Sequence, residues 1–201
     1  MSADPEYYAQ VLPHLGSDES LTVLVVRGRS RVETAEILEI DLTAEGDPSE
    51  WPDEGSVWSL VDIPGGVLAI ESSGYGDPTL RALRELSAGG GAAAVVRSNI
   101  QAHLRFGCAR DGELLFDDDE YMYAEDPSLV PAELRPLFDL VWDDLEGEDD
   151  IDDEGPSAFA VGLAMAELVT GIEVTVEQVD AVSEGPGFTG PGLVYGRGID
   201  A

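Results

Sequence analysis

Few side chains in this sequence could carry out a reaction. The candidates for nucleophile and base are one cysteine, Cys108, and two histidines, His14 and His103. Nucleophilic catalysis needs a base within hydrogen-bond reach of the nucleophile. His103 and Cys108 lie five positions apart on one expected strand, so they point to opposite faces and form no dyad there. Cys108 reads as a core residue. A serine triad through His103 has no G-x-S-x-G elbow to support it. One cysteine and two histidines also fall short of a four-ligand zinc set. All ten basic residues are arginine. Without lysine there is no Walker A loop, no kinase-type lysine and no Schiff base to pyridoxal phosphate. His103, Arg105 and nearby carboxylates are the set left for an enzyme of an unrecognised class.

Acids dominate what remains. Forty-two of them give a formal net charge of −32. Between Asp111 and Glu154 nineteen acids face one base, Arg135. Such a surface repels nucleic acid and anionic membranes and attracts basic proteins and cations. Asp150-x-Asp152-x-Glu154-Gly155 copies the start of a calcium-binding EF-hand loop. Val161 stands where the closing glutamate belongs, and Pro156 follows the glycine. No metal or cofactor is expected. With so many acids, paired carboxylates are inevitable and single out no glycosidase site. Gly89-Gly90-Gly91 reads as a helix stop, and Asp77 at the helix start after Gly74-Tyr75-Gly76 works against anion binding there.

The class these exclusions leave is recognition. Two acidic loops form the expected docking surface for a basic protein partner. One carries Asp117, Asp118, Asp119 and Glu120; the other carries Glu148, Asp149, Asp150, Asp152 and Asp153. Tyr121, Tyr123 and Trp142 would be aromatic anchors. The sharpest form of this reading is a non-catalytic immunity or inhibitor protein neutralising a basic toxin such as a nuclease. A nucleic-acid mimic is a variant, and a module whose acidity only solvates it is the bland alternative.

The elements that must position these residues follow from periodicity and punctuation. A short helix over Glu6 to Leu12 ends near Pro13. Leu21 to Arg27 is a Val- and Leu-rich buried strand. Ser30 and Glu33 form a capping box, opening a helix to about Leu38. Thr43 to Ser56 reads as a loop. Val57 to Ile63 and Val67 to Glu71 are strands joined across Pro64-Gly65-Gly66. Asp77-Pro78 would cap a helix to about Ser87. Ala92 to Ser98 and Ala102 to Ala109 are strands. In the second, Leu104, Phe106 and Cys108 share one face and His103, Arg105 and Gly107 the other. Asp111-Gly112 turns a hairpin into Glu113 to Phe116. Asp117 to Asp126 reads as a loop. Helices are expected over Pro131 to Leu145, over Ser157 to Thr170 as an amphipathic element, and over Val174 to Val182. The whole reads as α+β, a mostly antiparallel sheet of about five to six strands with helices on one side. Residues 1–182 form the single domain, and the Gly- and Pro-rich residues 183–201 form a flexible tail.

No basic and apolar leader opens the chain, and a lone cysteine suits a reducing compartment, so a soluble cytoplasmic protein is expected. The arginine-only basic set, with much Ala, Gly, Val, Asp and Glu, fits a GC-rich bacterial genome. Several segments in this order resemble an uncharacterised actinobacterial family, domain of unknown function 6461. They are Leu21 to Gly28 with the capped helix after it, Val67 through Tyr75, and Leu80 to Gly91. The hairpin Val95 to Arg105 and the run Ala164 to Gly171 complete the set. The chain departs from the pattern in carrying Ser73 where Asn is expected, and in its heavier acidic insert. The resemblance implies a fold and no reaction.

Overall fold

The computed structural model of the chain describes residues 3–16, 20–47, 55–73, 75–99, 103–123, 126–142 and 157–192. Its centre is one antiparallel sheet. The strands are β1 (Leu21–Arg27), β2 (Asp41–Gly46), β3 (Ser56–Ile63), β4 (Gly66–Glu71), β5 (Ala92–Ser98), β6 (Leu104–Arg110), β7 (Glu113–Asp118) and β8 (Gly187–Gly190). They lie in the order β2-β8-β3-β4-β1-β5-β6-β7. The sheet therefore has eight strands, where the sequence suggested five to six.

The two extra strands sit together at one edge. β2 falls partly within the segment read as loop, and β8 lies inside the residues read as a tail. Both lack the apolar runs that mark the central strands. Asp-Leu-Thr-Ala-Glu-Gly and Gly-Phe-Thr-Gly gain their place by backbone pairing with each other and, for β8, with β3. Phe188 is the buried contribution of β8, and the Arg31 guanidinium stacks over its ring at 4.8 Å.

The helices are α1 (Pro5–Val11), α2 (Arg31–Ile37), α3 (Leu80–Ser87), α4 (Arg135–Trp142), α5 (Ala158–Thr170) and α6 (Val176–Ser183). They cover both faces of the sheet, not one. Alternate residues of β1 show why. Val23 and Val25 join a core with α1, α4, α5 and α6. Leu24 and Val26 join a second core with α2 and α3. A strand buried on both sides loses its polar alternation, and β1, β4 and β5 show none. α5 is buried nearly all round, so it is a core helix and not an amphipathic one.

Local chemistry matches the expected starts and stops. The Ser30–Glu33 capping box is formed, Thr175 caps α6 with Gln178, and Gly171 ends α5 in the left-handed region. Asp111 and Gly112 both take positive φ, as the tight hairpin between β6 and β7 requires. The cap of α3 differs from expectation. Thr79, not Asp77, accepts the Ala82 N–H, which leaves the Asp77 carboxylate available elsewhere. Among the described residues, no helix is long and apolar enough to cross a membrane.

Candidate functional site

The acidic residues expected to form one docking surface divide into three groups. Asp117 is at the end of β7 and turns inward: its Oδ1 accepts from Arg105 Nε at 2.8 Å and from Nη2 at 2.6 Å. Tyr121 is fully buried, edge-on to Phe106, with its hydroxyl donating to the Ala158 carbonyl. These two residues hold the fold and are corrected as surface contacts. Asp118, Asp119, Glu120 and Tyr123 do lie together at the sheet end. Asp118 braces the turn by accepting the Glu120 N–H at 2.8 Å. The Asp119 side chain is 74% exposed and Tyr123 is 60% exposed. Glu148, Asp149, Asp150, Asp152 and Asp153 lie outside the described residues, as does the Trp142 side chain.

A second set of charges is buried and was not foreseen. Cross-strand partners point to the same face of a sheet. Register therefore places Trp58, Glu71, Thr22, Arg97 and Arg105 in one row across β3, β4, β1, β5 and β6. All five side chains sit on the α2/α3 face, beyond the first turn of α3. Isolated buried charges are expensive, so each must find a partner. Asp77 supplies the central one. It contacts Arg105 Nη1 and lies 3.4 Å from Arg97 Nη1. Arg105 Nη1 also donates to the Pro78 carbonyl at 2.7 Å. Glu71 accepts from the Ser73 N–H at 3.0 Å, from the Ser73 hydroxyl, and from the Gly76 N–H at 3.0 Å. Two carboxylates thus tie the segment before α3 down onto the sheet. Gly76 lets it approach: a Cβ there would stand 2.6 Å from the Trp58 ring. Thr22 Oγ1, between Glu71 and Arg97 in the row, has no hydrogen-bond partner among the described residues.

Burial dominates the electrostatics. It raises the Asp117 carboxyl above its ordinary range; Arg105 opposes this, and Asp119 and Asp77 add to it. Burial also works against the charge on Arg105, but Asp77 and Asp117 outweigh it and hold the guanidinium protonated. The Cys108 thiol, buried on the opposite face, is pushed up to about 12 by desolvation and is an inert core residue. His103 Nδ1 lies 3.3 Å from Glu120 Oε1 at the exposed end of the sheet, away from the buried row. His103 and Arg105 do share a face, yet only Arg105 is enclosed.

Beside the row a cleft of about 410 Å³ opens between the end of α2 and the start of α3. Its floor includes Trp58 and Asp77, and its walls carry Glu36, Glu39, Arg81 and Glu85. Among the described residues, no group of three or more His, Cys, Asp and Glu is placed to hold a metal ion.

Sequence reading missed Arg97, Asp77, Glu71 and Thr22 as a set. One signal was available: in a hairpin linking β5 and β6, Arg97 and Arg105 fall opposite each other. Two facing arginines demand acids from another element.

Comparison with known proteins gives a family and no function. The model of a family of unknown function, DUF6461, matches residues 5–183. No curated protein and no solved structure matches the chain.

Proposed function

We infer that this chain, which belongs to the family of unknown function DUF6461, is a non-catalytic binding protein whose acidic surface docks a basic protein. The observation that carries this reading is where the arginines go. Arg97 and Arg105 are buried among acids. Arg29 is drawn onto the end of α3, donating to the carbonyls of Glu85, Leu86 and Ala88. Arg110 reaches the Val169 carbonyl and Glu133, and Arg135 the Val130 carbonyl. Arg81 and Arg84 stay exposed on α3, but these five of the ten arginines are drawn inside the fold or onto main-chain carbonyls, which leaves the outer surface more one-sidedly acidic than the composition requires. At the β7 end, Asp118, Asp119 and Glu120 sit beside Tyr123, with Leu129 also exposed a few residues on. Acids around an exposed aromatic suit a partner that is steered in by charge and anchored by apolar contact. An immunity or inhibitor protein acting on a basic toxin is the form of this function that best fits so acidic a surface.

Arg105 does not favour the alternative of an enzyme built on His103 and Arg105, because Asp117, Asp77 and the Pro78 carbonyl already engage its guanidinium. The test is direct binding to a panel of purified basic proteins, small nucleases among them. Binding should weaken steeply as salt rises past about 0.15 M, where the Debye length is about 8 Å. Asp119→Asn with Glu120→Gln should weaken it further at low salt. Binding to none of the panel, or a complex indifferent to salt, would sink the reading.

A further inference from the structure

We propose that the cleft between α2 and α3 receives an arginine or lysine side chain of the basic partner, held between Glu36 and Glu39 on one wall and Glu85 on the other. This rests on the reading of a basic partner and names a second contact for it.

Three observations point there. The first is charge. Four carboxylates line the cleft against one guanidinium. Asp77 is engaged by Arg97 and Arg105. The Glu36 and Glu39 carboxylates, both exposed, make no hydrogen bond or ion pair among the described residues. Two acids facing one opening repel each other and favour a cation between them.

The second is that the cleft already holds a guanidinium of the chain's own. Arg81 Nε donates to Glu85 Oε1 at 2.8 Å, one turn along α3. From the facing wall, the Glu39 carboxylate is close enough to stabilise the same charge. Arg81 itself is 74% exposed, so it rests at the mouth and leaves the interior open. The walls suit the stem of such a side chain as well as its head. Ile37, Leu38, Pro78 and Pro191 are apolar, and Arg and Lys bury their methylenes along surfaces of that kind.

The third is continuity. Asp77 forms part of the cleft and also binds Arg105, which binds Asp117 and lies 3.9 Å from Asp119. The acidic end of β7 and the cleft are thus joined through one chain of charges, and one partner could touch both. By this geometry Arg81 competes with the incoming side chain for Glu85 and Glu39.

The probe is a hexa-arginine peptide at low salt, with affinity measured by calorimetry and the Trp58 indole N–H followed by NMR. Trp58 lines the cleft, and its indole N–H is held by a buried hydrogen bond to Ser56 Oγ at 2.9 Å, so its signal reports on changes at the cleft. Glu36→Gln with Glu39→Gln should weaken binding about five- to tenfold, the scale of two partly exposed ion pairs. The control is Glu6→Gln with Glu177→Gln, which removes two charges from exposed positions on α1 and α6, across the sheet, and should cost much less. Arg81→Ala should tighten binding about two- to fivefold, and the Trp58 signal should shift with saturation. If wild type binds in a salt-sensitive way but both Gln pairs weaken it equally, or Trp58 does not respond, the cleft is overturned and the basic-partner reading stands. If wild type does not bind the peptide at all, both fall. All the substituted side chains are exposed, and the NMR spectrum of each variant verifies its fold directly.

Discussion

Replacing Asp77 by alanine tests the buried charge row most directly. The carboxylate is shared by Arg97 and Arg105, whose side chains are only 7% and 5% exposed. Its removal leaves two guanidinium groups in a dry site with one acid fewer. Breaking a buried ion pair by deleting one partner costs about 3–5 kcal/mol. Arg105 keeps Asp117 and the Pro78 carbonyl, which argues for the lower end, about 3 kcal/mol. Against a total stability of about 5–15 kcal/mol that is a large fraction. For a chain of this size each kcal/mol moves the midpoint by about 2–4 °C, so Tm should fall by roughly 6–12 °C. Calorimetry or urea unfolding reads this. A double-mutant cycle with Arg105→Met then separates pairing from packing. If the charges are coupled as the distances imply, the double variant should be less destabilised than the sum by about 1–3 kcal/mol. A cost below about 1 kcal/mol for Asp77→Ala, with additive behaviour in the cycle, would refute the view that this carboxylate holds the row together.

Two further outcomes follow from the same geometry. Asp117 and Glu167 have carboxyls raised by burial, so each favours folding more when protonated. Their contribution is present at low pH and is lost as pH rises through the folded-state pKa. Thermal stability should therefore increase as pH falls below neutrality toward the range where these raised carboxyls protonate, helped by relief of repulsion among the surface acids, and Asp117→Asn should flatten that slope. Phe188→Ala should destabilise by about 3 kcal/mol or more by urea unfolding, because Phe188 is a buried residue of a paired strand; a cost under about 0.5 kcal/mol would return that segment to a tail.

The central strands and most helices were legible because their signals are local. Leu21 to Arg27 and Ala92 to Ser98 are apolar runs too short for helices, and Ser30, Thr175 and Gly171 mark helix ends with residues suited to caps. β2 and β8 were illegible for the opposite reason. Neither has an internal pattern, and each exists because a partner strand some 145 residues away in sequence satisfies its backbone. The acidic surface was legible as composition. Its division was not: Asp117 and Asp119 are alike in sequence, yet one is drawn in to Arg105 and the other is left in solvent.

Composition alone determined the sign of the electric field around this protein. A chain with 42 acids, ten arginines and no lysine repels anions whatever its fold, since Coulomb forces of that net charge outlast any local arrangement. Tertiary structure decided which charges remain outside. Cross-strand register brought Glu71, Thr22, Arg97 and Arg105 into one row, and the shift of the α3 cap to Thr79 released Asp77 to pair with its arginines. Long-range pairing is set by how buried groups satisfy one another across the sheet, a constraint that no stretch of sequence carries by itself.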